Sequence, residues 1–186
     1  MVAEIRATAG GAPRILATCR MASAAVNRNA ALRAAQTLAV IMLDDDVGGF
    51  APDWNLQLEA ALDAPDAVMV SARLMHKNGA PGQMLGNPPY DAGSTETVEV
   101  PRRELPTACI VFRNIGMSFR ETYVGSGWED TDFCAQLRGV YPSGRFLVHN
   151  GVRVTHYNEM KNQGPHFVAN QARYVEVWGP HPYHAP

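Results

Sequence analysis

The 186-residue chain has a formal net charge of −2, with 46% apolar and 18% charged residues; this composition fits one globular domain and excludes a disordered chain. Near-neutral charge leaves no general basic field to grip a polyphosphate backbone, so nucleic acid is not an expected partner. No apolar run approaches the ~20 residues that cross a bilayer, the opening MVAEIRATAGG has no signal-peptide core, and Cys19, Cys109 and Cys134 match no zinc or disulfide pattern. Free thiols and a cytoplasmic location are the expectation.

Along the chain, short apolar runs alternate with helical patterns. Residues 14–18 read as a strand, 23–36 as a helix, 38–43 as a strand, 52–62 as a helix and 67–71 as a strand. Such strand–helix units predict an α/β fold with a mixed, mostly parallel sheet flanked by helices. From 74 to 106 the pattern dissolves into Gly, Pro, Asn and acidic residues, with turn signals at Asn78-Gly79 and Asn87-Pro88-Pro89, which predicts a hairpin and then a long surface excursion. Regularity returns with a strand at 107–112, a helix at 128–138 and short strands at 146–148 and 152–155; the closing GPHPYHAP reads as an irregular tail.

Four groupings carry chemistry. The apolar run Val40-Ile41-Met42-Leu43 ends in Asp44-Asp45-Asp46, and ligands of open α/β sheets gather at the carboxyl ends of strands. Alternation along extended chain points Asp44 and Asp46 at one target and Asp45 away, which suits one hard cation with oxygen ligands; a solvated acidic turn is the plain alternative. In Gly125-Ser126-Gly127-Trp128-Glu129-Asp130-Thr131-Asp132-Phe133 a glycine-flanked loop enters a helix, and Asp130 shares a face with Phe133, Cys134 and Leu137. An inward carboxylate there can accept a proton from a bound hydroxyl, although acids in a first helical turn also serve the helix dipole. His156 closes Val152-Arg153-Val154-Thr155-His156, where it is either structural or a ligand. Asn29, in Asn27-Arg28-Asn29, falls on an apolar helix face with Ala22, Val26 and Ala30, so its amide must bond to a neighbouring loop or to a ligand.

The order of these pieces between about Ala25 and His156 resembles the family 2 glycosyltransferases of the GT-A, nucleotide-diphospho-sugar transferase fold, with Gly127-Trp128-Glu129-Asp130-Thr131-Asp132-Phe133-Cys134 as the most specific stretch. The resemblance implies an inverting, metal-dependent hexosyltransferase-like enzyme that takes a nucleotide-sugar donor and a carbohydrate or other hydroxyl acceptor. It implies Mn²⁺ or Mg²⁺ at Asp46, Asp44 and His156, with Asp44, Arg28, Asn29, Trp128 and Glu129 binding substrate and Asp130 as catalytic base. Trp128 would stack on an acceptor sugar or anchor packing. Family members usually carry an early acidic residue that reads the nucleotide base, and Ala7–Pro13 has no carboxylate. The expectation is therefore one catalytic domain over 1–160 with an incomplete N-terminal nucleotide-binding half, weakened activity and a possible homo-oligomer through an uncovered sheet edge, with 161–186 a tail or extension. Two competing readings are a non-catalytic carbohydrate- or nucleotide-binding remnant and a metal-dependent nucleotidyltransferase or phosphohydrolase; no Gly-rich phosphate loop followed by Lys supports P-loop chemistry.

Overall fold

The structure, a computed structural model, describes residues 1–11, 13–17, 22–82, 84–86, 88–157 and 165–181. In chain order these form α1 (Val2–Thr8), α2 (Ala24–Ala34), β1 (Ala39–Leu43), β2 (Val47–Gly48), α3 (Trp54–Leu62), β3 (Ala67–Met75), β4 (Thr97–Glu99), β5 (Cys109–Arg113), α4 (Glu129–Val140), β6 (Arg145–His156) and α5 (Pro165–Trp178). The strands make one sheet in the order β1-β5-β3-β6-β2, with β4 also on β6.

This is a mixed α/β fold, but the pairing is mostly antiparallel rather than mostly parallel. Among the described residues only β3 and β6 pair in parallel; β1–β5, β3–β5, β2–β6 and β4–β6 are antiparallel. The strand–helix rhythm does predict relative direction, since β1 and β3 both oppose β5 and therefore run the same way. What it misses is the placement of β5, expected as a strand at 107–112, which returns from the surface excursion and inserts antiparallel between them. One consequence matters for the site: the carboxyl ends of β1, β3 and β6 and the amino end of β5 all lie on the same side of the sheet.

Two strands exceed their sequence signals. β3 is buried over all nine residues, through Arg73, whose charge argues against a buried strand. Arg73 is accommodated by Nε donation to Asn150 Oδ1 at 2.8 Å and by its guanidinium lying 5.1 Å from the Tyr90 ring, since a buried charge must keep its donors occupied. β6 runs through Asn150-Gly151 as a bulge, a register shift between Ala72/Arg73, instead of breaking into two strands. There His149 Nδ1 accepts from Gly151 N at 3.1 Å and Val152 N at 3.2 Å.

Beneath the sheet, α3 buries Trp54, Leu58 and Leu62, one residue per turn on a single stripe. α1 is docked by Glu4, whose Oε1 accepts from Gly49 N at 2.7 Å and Phe50 N at 3.0 Å. Residues 13–17 form no strand, although Ile15 packs on the core. The 161–186 region, expected as a tail or extension, contains α5, which lies on α4. Cys109 and Cys134 are buried free thiols, Cys19 lies outside the described residues, and among those described no helix is long and apolar enough to cross a membrane.

Candidate functional site

The site begins where β1 stops. Asp44 N donates to Ala108 O at 2.9 Å, the last rung toward β5, and the chain then turns through Asp45 and Asp46 into β2. β2 pairs Val47 with His156 at the end of β6, and Tyr157 N donates to Asp46 O at 2.8 Å. Sheet register thus carries the acidic turn to a histidine 110 residues away. Asp45 is exposed, while ligand atoms of Asp44, Asp46 and His156 all lie within 4.8 Å of one another. Asp46 Oδ1 and His156 Nε2 are 3.1 Å apart.

A second corner faces this one across the partly buried Arg28 of α2. Arg28 bridges Asp44 Oδ1 at 2.8 Å and Glu129 Oε1 at 2.7 Å, tying the strand end to the first turn of α4. Burial alone would lower the Arg28 pKa, but Asp44 and Glu129 more than offset it and hold the guanidinium above its ordinary value. Next along α4, Asp130 is partly buried; burial first, then repulsion from Glu129, raises its carboxyl to about 7 against the pull of Arg28. A base poised there is well matched to proton abstraction near neutrality.

The loop that presents Asp130 is held from α5. Asn170 accepts from Val124 N at 3.1 Å and donates to Val124 O and Gly127 O, both at 2.9 Å. Gly127 has φ 101°, and a Cβ there would lie 2.8 Å from the Phe167 ring, so the position accepts only glycine. Trp128 sits at φ 72° with its ring 5.8 Å from Phe167, 5.2 Å from Tyr174 and 5.6 Å from His181. It is only 5% exposed, which favours the packing anchor over the sugar-stacking role of the two readings open to it. Of the two partners open to Asn29, a loop or a ligand, its amide takes the loop at Phe119, donating to Phe119 O and accepting from Phe119 N, both at 2.8 Å.

The sequence reading missed three features. Asp132, fully buried, accepts from Trp178 Nε1 at 2.7 Å and so fastens α5 to α4. Thr107 stands at the amino end of β5 with a buried hydroxyl that has no partner among the described residues. α5 itself had a signal, since Phe167, Asn170, Tyr174 and Trp178 recur at helical spacing. A cavity of about 1330 Å³ runs along all of this, lined among others by Asp44, Asp46, His156, Arg28, Glu129 and Asp130.

No protein-family profile matches the chain, and no curated protein sequence does. Among solved structures it is similar to the crystal structure of GalNAc-T7 with UDP, GalNAc and Mn2+, at 15% identity and a TM-score of 0.63, over 84% of this chain and 35% of the other. The chain therefore spans about a third of that protein's length. At this identity the likeness concerns the backbone alone, and what it shows is that the chain has a GT-A-like fold.

Proposed function

We propose that the chain is the catalytic part of a metal-dependent, inverting glycosyltransferase that moves a sugar from a nucleotide-sugar donor to an acceptor hydroxyl. The observation that carries the reading is that Asp44, Asp46 and His156, with ligand atoms within 4.8 Å of one another, open into the same cavity as Asp130. The order of motifs supports placing it with family 2, and the GalNAc-T7 structure, which contains UDP and Mn2+ on a similar backbone, supports a nucleotide-bearing donor.

The donor set fits a divalent cation. Two carboxylates and one imidazole suit Mn²⁺, whereas Mg²⁺ favours oxygen throughout. Asp44, Asp46 and His156 would hold the ion, and when bound it supplies Lewis-acid neutralisation of the departing diphosphate. Arg28 fixes Asp44 relative to α4, so the diphosphate end and the base keep one spacing. Asp130, ionised, accepts the proton of the acceptor hydroxyl. That oxygen forms a bond to the anomeric carbon as the carbon–phosphate-oxygen bond breaks, and the electron pair leaves with the nucleoside diphosphate. Attack from the face opposite the leaving group inverts the configuration.

The test is turnover of a panel of nucleotide sugars with glycoside acceptors, in Mn²⁺ and in chelator, with the product's anomeric configuration read by NMR. Metal-dependent transfer with inversion is expected. Retention would refute Asp130 as the base, and binding without transfer would favour the non-catalytic reading.

A further inference from the structure

The metal corner carries a charge problem that its own ligands do not solve. Asp44, Asp46 and Glu129, with Arg28 among them, leave a surplus of negative charge that one divalent cation does no more than cancel. A departing diphosphate brings further negative charge and calls for another N–H donor beside the ion. The basic side chains that line the cavity are Arg14, Arg28, His76 and His156. Arg28 is taken by Asp44 at 2.8 Å and Glu129 at 2.7 Å, and His156 belongs to the cation ligands. Arg14 lies in the 13–17 stretch, which no strand pairing carries to the strand ends. His76 remains.

The sheet fixes where His76 stands. β3 and β6 run parallel with Leu74 opposite Val154 and Met75 opposite Thr155, and the residues that follow are His76 and His156. Alternation agrees with this register, since Leu74 and His76 line the cavity and Met75 between them does not. On the other side of β3 the chain folds back: Met75 bridges to Pro81, His76 N donates to Ala80 O at 2.8 Å, and His76 O accepts from Gly79 N at 2.9 Å. A closed turn therefore presents the imidazole on the strand next to the ligand histidine. The residue is partly exposed, so a bound molecule can reach it, and its ring stands outside the Asp44–Asp46–His156 ligand group.

We propose that His76 is a diphosphate contact, its imidazole N–H donating to a phosphate oxygen of the leaving nucleoside diphosphate. The inference rests on the function proposed above and adds to it a residue that lies outside every motif of the sequence. An imidazole offers at least one N–H in either tautomer, and a bond from it to a phosphate oxygen is charge-assisted. Such a contact reads phosphate, with no preference for the base.

Calorimetric titration tests the contact, first with Mn²⁺ alone and then with UDP, GDP and inorganic pyrophosphate at saturating Mn²⁺, against the parent chain, His76→Ala and His76→Asn. His76→Ala should bind Mn²⁺ alone within about twofold of the parent, which also reports that the variant is folded. It should bind the diphosphates roughly tenfold more weakly, by the same factor for each of the three that the parent binds. His76→Asn keeps an N–H and should recover part of the loss. Unchanged diphosphate affinity in His76→Ala, or a loss confined to one nucleotide while the others hold, overturns the contact and leaves the glycosyltransferase reading standing. A comparable drop in affinity for Mn²⁺ alone in both variants also overturns it, because His76 then serves the ion and not the phosphate. A parent that binds no diphosphate in Mn²⁺ overturns both.

Discussion

The two corners of the cavity are built by different means. The metal corner is assembled by the sheet: Asp44, Asp46 and His156 sit at strand ends, and backbone pairing of β1, β2, β5 and β6 brings them together. The base corner is assembled by side chains from α2 and α5, through Arg28 on Glu129, Asn170 on the Gly127 loop and Trp178 on Asp132. A site hung on backbone pairing tolerates the loss of one side chain, because register remains. A site hung on buried side-chain bonds loses geometry and stability together.

The sharpest way to break the comparison is Asp130→Asn, which keeps the shape and removes the proton acceptor. Transfer should fall by about 10²–10⁴-fold with nucleotide affinity nearly unchanged, as single-turnover kinetics would show; unchanged transfer would make Asp130 a helix-end acid. Next in size is Arg28→Met. It leaves Glu129, whose side chain is 5% exposed, as an uncompensated buried charge, which typically costs about 3–5 kcal/mol. Urea unfolding measures this loss, and one below ~1 kcal/mol would mean the bridge is solvated like a surface pair.

The same contrast explains what was legible beforehand. Asp44, Asp46 and His156 could be read because an apolar run ending in acids, and a late alternating strand ending in His, mark strand ends whatever their neighbours. The inward face of Asp130 follows from helical periodicity. Trp128 and Asn29 were left between two readings because a sequence gives a residue's face but not what occupies it; α5 packs on the one and the Phe119 loop bonds the other. Thr107 was invisible because an orphaned hydroxyl is defined only by the absence of partners. The parallel sheet failed because nothing local to β5 says which neighbours it will separate.

Smaller effects separate the corners further. Trp178→Phe removes a donor from the buried Asp132 carboxylate and should cost about 1–3 kcal/mol, with Mn²⁺ affinity unchanged. Asp46→Ala should do the reverse: Mn²⁺ affinity, read by titration in the presence of UDP, should drop by about tenfold or more, while the melting transition stays within the ~0.5 kcal/mol of an ordinary surface change. If Asp46→Ala instead unfolds the chain, the metal corner is held by side chains after all.

The finest test is pH, because Asp130 acts with opposite signs on rate and on stability. Its carboxyl is raised from 3.8 to about 7, first by burial and then by Glu129. For the rate, the ionised form is the active one, so kcat/KM should climb as pH rises through about 7 and level off above it. For stability, the folded state holds this proton more tightly than the unfolded chain does, so the contribution is complete below about 4 and is lost as pH rises through about 7. Asp130→Asn has no proton to lose. The variant should therefore gain on the parent as pH goes from 5 to 8, compared by urea unfolding at the two values without metal. Its activity deficit should widen over the same range, because only the parent is switched on. Identical pH dependence of stability in parent and variant would mean that the Asp130 carboxyl is as well hydrated in the folded chain as in the unfolded one. The base corner would then lack the water exclusion that Arg28, Glu129 and α5 together provide.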